Sequence, residues 1–200
     1  MRELVERYAW ADEDYELAWT VSVVHGRDVD AVLSAYHADP SGSLEKLTFT
    51  AASVLRNEHF GEFGVVQLVE REGLVVVIEP NGWVGNIPTI AEKLSTNGGH
   101  FFSVYWSPVA YQIIEARDGQ LVARLDPNFI GLPAGANDML PGWVGDDDFP
   151  LDHLKSCSLA AMEQQTGLAF DRVWLTEPLP TYRIPDPDGL LKDIENAHLP

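Results

Sequence analysis

One cysteine, Cys157, stands in 200 residues, so no internal disulfide can form and a disulfide-scaffolded fold is excluded. Basic residues are scarce too: 13 Lys and Arg against 31 Asp and Glu leave a formal net charge of −18. Such a field repels phosphate backbones and anionic membrane surfaces, so neither nucleic acid nor membrane is an expected partner. Apolar runs are short, and none approaches the roughly 20 residues that span a bilayer. The opening "MRELVERYAW" is charged and lacks the apolar core of a signal peptide, which points to the cytoplasm. Nucleotide and hydrolase signatures are missing. No glycine-rich phosphate loop joins a strand to a helix, and no G-x-S-x-G occurs. The six histidines, at 25, 37, 59, 100, 153 and 198, form no HxH or HxxxH pair, and no metal or cofactor is expected.

What is present suffices for a core. Hydrophobic residues make up 46% of the chain, and a chain of this length buries most of them in one domain. We expect a single domain over 1–176 and a proline-punctuated extension over 177–200, with a short helix behind Asp188. Apolar residues at helical spacing predict a helix from Glu3 to Ala11, followed by a solvated acidic patch in "WADEDYELAW". Leu17 to Val24 reads as a strand. Asp28 reads as the N-cap of the next helix, because its carboxylate can accept the free N–H groups of a first turn. Residues 44–62 fit either strand or helix. Val65–Arg71 and Leu74–Glu79 read as a hairpin turning at Gly73, and Pro88 starts a helix. "HFFSVYW" is a strand, and residues 109–127 form a second hairpin turning at Asp118 and Gly119. A helix is expected from about Leu151 to Gln165, capped by Gly167, and "DRVWL" reads as a last edge strand. Hairpins with helices between them make an α+β fold, with a mainly antiparallel sheet of about five to seven strands and helices on one or both faces. "LVVVI" has no polar alternation, so its strand should be central and covered on both sides.

The two hairpins form a weak internal repeat. "VVQLVEREGLVVVIEPNGWVG" overlays "AYQIIEARDGQLVARLDPNFIG" with a one-residue slip. Each second strand ends in a carboxylate before proline, Glu79-Pro80 and Asp126-Pro127. Proline has no N–H and holds its predecessor extended, so each corner first of all terminates a strand. Were Glu79, Asn81, Trp83, Asp126 and Asn128 to converge, the same corners would line a ligand pocket.

Two tryptophans stand between glycines in loops, Trp83 in "NGWVG" and Trp143 in "PGWVG". Each can fold back as a lid on the core or anchor a partner. Asp146, Asp147 and Asp148 lack the alternate spacing of a calcium loop and fit a solvated approach to a helix. His153 and Cys157 share a helix face, but their acidic neighbours favour a structural cysteine over a reactive thiolate.

"LVVVIEPNGWVG", "LSTNGGHFFSVYW" and "ARDGQLVARLDP" resemble a family of actinobacterial proteins catalogued as a domain of unknown function, over roughly Tyr15 to Phe170. The resemblance implies an actinobacterial cytoplasmic protein and carries over no catalytic residue. In that family the strand tryptophan is commonly followed by Asn, whereas this chain reads Trp106-Ser107-Pro108. The functional expectation is a non-catalytic, acidic, protein-binding module. Its most specific form is an immunity or antitoxin-like protein that covers a basic partner, with Trp143 as anchor and Asp146, Asp147 and Asp148 at the rim. The alternative is a small-ligand receptor or enzyme with its pocket at Glu79, Asn81, Trp83 and Asp126.

Overall fold

A computed structural model describes residues 1–13, 18–39, 42–130, 139–145, 148–187 and 189. Within these residues seven strands form one antiparallel sheet: β1 (Trp19–His25), β2 (Phe63–Arg71), β3 (Leu74–Pro80), β4 (His100–Trp106), β5 (Tyr111–Arg117), β6 (Gln120–Leu125) and β7 (Thr181–Pro185). Their order is β6-β5-β4-β1-β3-β2-β7. Among the described residues six helices accompany them: α1 (Arg2–Arg7), α2 (Trp10–Glu13), α3 (Val29–Ala35), α4 (Phe49–Glu58), α5 (Pro88–Ser95) and α6 (Leu154–Thr166). The fold is α+β, with helices on both faces of the sheet. Among the described residues, no helix is long and apolar enough to cross a membrane.

Alternation along the strands sorts the core into two layers. Val21, Val23, Val76, Ile78, Phe102, Val104 and Ile113 point to the face covered by α6, where Leu159, Ala160 and Met162 are fully buried. Val24, Val75, Val77, Phe101 and Ile114 point to the other, covered by Val32, Leu33 and Tyr36 from the α3 region and by Ile90, Ala91 and Leu94 of α5. β3 thus feeds both layers, which is why "LVVVI" shows no polar alternation. The slip in the internal repeat also acquires a cause. β6 carries one more residue than β3 between turn glycine and proline, and the β5–β6 ladder absorbs it as a bulge beside Glu115 and Ala116.

Local chemistry places several elements as expected. Asp28 accepts the N–H of Ala31 at 2.8 Å and starts α3. Gly73 and Gly119 take φ of +78° in the two hairpin turns. The ambiguous stretch resolves to the helix α4, capped by Thr48. Three local readings change. "DRVWL" is a 3₁₀ turn, not a strand, because the Asp171 carboxylate accepts the N–H of Val173 and closes the backbone into a turn. The expected first helix divides at Tyr8, and Trp10–Glu13 is a further helical turn. Asp12 in that turn is more than solvated surface. Its Oδ1 accepts N–H bonds of 3.1 Å each from Lys155 and Ser156, supplying α6 with the cap that His153 does not provide.

The segment after residue 176 takes part in the sheet. Thr181–Pro185 pairs with β2 in register from Phe63↔Pro185 to Gln67↔Thr181, and Ile184 lies in the second core layer. The expected helix behind Asp188 falls outside the described residues. Isolated bridges touch both sides of the sheet, Ser43↔Tyr182 and Leu47↔Leu179 at one side and Arg124↔Met139 at the other. Ile184→Ala should cost about 2–5 kcal/mol in urea unfolding, as for any well-packed core aliphatic. A loss below about 0.5 kcal/mol, as at an ordinary surface site, would mean that β7 is only loosely attached.

Candidate functional site

The two polar corners are built differently and do not meet. Glu79 is completely buried, yet both carboxylate oxygens are satisfied locally. Oε2 accepts the N–H of Val84 and Oε1 that of Gly85, each at 2.7 Å. The 3₁₀ turn Val84–Asn86 thus folds back over the end of β3 and is held there by the carboxylate. Around it lies a polar layer on the α5 side of the sheet. The Tyr36 hydroxyl is 3.3 Å from Ser22 Oγ and hydrogen-bonds the carboxylate as well. The Thr20 hydroxyl donates to Gly82 O at 2.7 Å, and Ser103 Oγ to Asn86 Oδ1 at 3.3 Å. Gly85 is required: a Cβ there would lie 2.3 Å from Ser22 Oγ and 2.8 Å from both Glu79 Oε1 and the Tyr36 hydroxyl. Burial lifts the Glu79 carboxyl to about 7, the backbone and Tyr36 hydrogen bonds only partly opposing it.

Asn81 takes φ of +50° at the corner, donates its N–H to Ala18 O and pairs its Nδ2 with Asn57 Oδ1, both at 2.7 Å. Trp83 is half-buried and packs against the second core layer. Asp126 lies just past β6, with Oδ1 accepting the backbone N–H and the Nδ2 of Asn128 at 2.9 Å each. It caps the 3₁₀ turn Pro127–Phe129. Between Glu79 on β3 and Asp126 after β6 stand β1, β4 and β5. Four strand spacings of about 4.8 Å separate the two corners by roughly 19 Å. Each carboxylate is occupied by its own turn.

Trp143 reaches the opposite face. Its Nε1–H donates to Glu115 Oε2 at 2.9 Å and its ring packs on Phe102. Glu115 is nearly inaccessible and also receives Arg117, at 2.7 and 2.6 Å, and His100 Nε2 at 3.0 Å. Burial alone would raise this carboxyl; the bonds from His100, Trp143 and Arg117, with the Arg117 charge, outweigh it and hold it below the usual range. The His25 ring lies tilted beside that of His100, with ring centroids 5.3 Å apart, and burial followed by the His100 charge lowers its affinity for a proton. The sequence reading did not single out this ion-paired cluster. His25, His100 and Glu115 are far apart in the chain and meet only because β1, β4 and β5 are neighbours in register.

Asp148 accepts the N–H of Gly145 at 2.7 Å, whereas Asp146 and Asp147 lie outside the described residues. Cys157 is buried, and burial followed by the charges of Asp12 and Asp148 pushes its thiol up to about 11. His153 turns instead to Asp12, at 3.4 Å. No group of three or more His, Cys, Asp or Glu that could hold a metal ion occurs among the described residues.

A family model described as "Family of unknown function (DUF6461)" matches residues 1–177. The chain belongs to that family. The matched stretch takes in β1 to β6, the Glu79 corner and the Trp143–Glu115 contact, and ends just before β7. Neither comparison with curated proteins nor comparison with solved structures gives a match.

Another surface feature is apolar. Val109, in the β4–β5 turn, is 93% exposed, and Leu151, in the turn that begins α6, is 72% exposed. Phe129, Met139 and Leu140 are exposed on the segment that leaves β6. All five lie toward the end of the sheet where β4 and β6 finish, since Met139 bridges to Arg124 and Lys155 of α6 lies over the Trp106 ring. Asp148 and Asp152 flank Leu151 along the chain.

Two outcomes follow from the buried carboxylates. The Glu79 carboxyl binds its proton more tightly in the folded chain, about 7 against 4.5. Its contribution to stability is therefore full below about pH 4.5 and lost as pH rises through about 7, by on the order of 3 kcal/mol. Denaturant titrations at pH 5 and 7.5 should show that fall in the wild type and its absence in Glu79→Gln; parallel profiles would refute it. Trp143→Phe keeps the ring but removes the donor to Glu115, and should lower stability by about 1–3 kcal/mol. An unchanged melting temperature would reassign Trp143 from a latch on the fold to a residue kept for other reasons.

Proposed function

We propose that this chain is a non-catalytic protein-binding module that covers a basic partner, in the manner of an immunity or antitoxin-like protein acting in the cytoplasm. The observation that carries this reading is the group of exposed apolar side chains, Val109, Phe129, Met139, Leu140 and Leu151, at one end of a sheet in a chain of net charge −18. An apolar centre with a charged rim is how a protein interface is commonly built. Asp148 and Asp152, next to Leu151 in the chain, would give this surface an acidic rim suited to a partner rich in Lys and Arg. Asp146 and Asp147 extend that rim in the sequence. The overall field would steer such a partner in and speed encounter, with affinity resting on the apolar contact. Trp143 enters this reading as support for the segment that presents Met139 and Leu140, since its indole is engaged with Glu115.

The pocket-based alternative loses its main support, because Glu79 and Asp126 are each held by their own turn and stand apart. Affinity capture from a native cell extract, with mass spectrometry, tests the preferred reading. A basic protein should be retained by the wild type and by Val54→Ser on α4, and lost with the double variant Leu140→Ser and Leu151→Ser. Retention should weaken between about 50 and about 300 mM salt as surface charges are screened. Capture that ignores both the apolar substitutions and the salt would overturn the assignment.

A further inference from the structure

At the end of the sheet away from the exposed apolar group, two imidazoles meet across neighbouring strands. His25 ends β1, His100 begins β4 and Arg117 ends β5, and the register sets them side by side as His25↔His100 and His100↔Arg117. The two rings lie 5.3 Å apart between centroids, with 34° between their planes. They are held differently. His100 Nε2 is 3.0 Å from Glu115 Oε1, and the same oxygen takes the Arg117 guanidinium. Glu115 Oε2 takes the Trp143 indole. His25 instead hydrogen-bonds the backbone of Thr166, the last residue of α6. The last carbonyls of a helix have no partner within it, so this ring fastens the end of α6 to the end of β1. Its Nε2 is buried without a hydrogen-bond partner.

A neutral imidazole tolerates that position, because one ring nitrogen donates and the other carries only a lone pair. An imidazolium does not, since its second N–H would be buried with no acceptor. Among the described residues the charges that act on His25 are His100 from β4 and Arg117 from β5. β3 sets apolar Leu74 opposite it, and α6 offers the Thr166 backbone. The Thr166 bond favours the protonated ring, but burial and the two cationic neighbours outweigh it and lower the proton affinity. The ring as a whole is only partly buried. Nε2 therefore reaches water by an outward swing, and that movement breaks the bond to Thr166.

We infer that His25 is an acid-released catch: neutral, it fastens the C-terminal end of α6 to β1, and on taking a proton from solvent it swings away from His100 and Arg117 and lets that helix end loosen. A loosened state in which the ring meets water takes its proton near the ordinary value of 6.5, more readily than the fastened state. The catch is therefore complete well above that pH and weakens as pH falls through it. The direction is opposite to that of Glu79, whose contribution is lost as pH rises. The catch stands on residues apart from the exposed apolar group, so either reading can fail alone.

Amide hydrogen exchange on the full chain is the test. Gly167 donates to Glu163 O at 2.8 Å and Leu168 to Thr166 Oγ1 at 3.2 Å, so both amides report closure of that helix end. Their protection factors, corrected for the intrinsic pH dependence of exchange, should fall about threefold or more from pH 7.5 to pH 5.5, while that of Ile113 in β5 does not fall. His25→Gln keeps a side-chain N–H for Thr166 but cannot take a charge, and should abolish the fall. The His25 ring resonance in the wild type should titrate with the same midpoint as the loss of protection. Arg117→Gln, at a half-exposed site, removes one repelling cation and should move both midpoints to higher pH; it serves if His25→Gln does not fold. No fall, a fall shared by Ile113 or by His25→Gln, a His25 midpoint apart from that of the fall, or midpoints unmoved by Arg117→Gln would each overturn the inference.

Discussion

A carboxylate with no access to water, Glu79, is the constraint on which the centre of this molecule depends. A buried charge or polar group is costly unless its hydrogen-bonding capacity is met inside the protein. The chain meets it by turning sharply after Pro80 and laying the Val84 and Gly85 N–H groups onto the two oxygens. From that follow the absence of a side chain at Gly85, the hydroxyls of Ser22 and Tyr36 beside it, and the seat of the turn that leads into α5. α5 then covers the sheet with Ile90, Ala91 and Leu94. A replacement that left those N–H groups unanswered would disturb the closure of a whole core layer.

The opposite face is organised by a second carboxylate under a different balance. Glu115 is as secluded as Glu79, but it collects Arg117, His100 and the Trp143 indole, which together hold its carboxyl below the usual range. One buried acid is satisfied by neutral backbone donors and the other by a cation and charged or polar side chains, and their proton affinities move in opposite directions. The chain as a whole is acidic, and Val109, Phe129, Met139, Leu140 and Leu151 are among its exposed apolar side chains.

Much of the architecture could be read directly from the chain. The two hairpins, their glycine turns, the Asp28 cap, the Pro88 helix start and the two-sided burial of β3 are consequences of neighbours in sequence, because turn geometry, capping and alternation act over a few residues. The role of the EP and DP corners as strand ends was legible for the same reason. "DRVWL" misled because β-branched and aromatic content suggests a strand, while the Asp171 cap that makes it a turn acts on the next two residues.

What tertiary structure alone decided is which distant groups meet. Nothing local pairs Glu115 with Trp143, sets Asp12 at the start of α6, or brings His25 beside His100. Those encounters depend on strand order and on which helix lies over which strand. Strand order is set by long-range packing of both core layers at once, and a one-dimensional pattern of polar and apolar residues carries no record of it. The sequence by itself determined the elements, their ends and the sign of the charge. The fold determined which charges are buried, which are paired, and where a partner would find an opening.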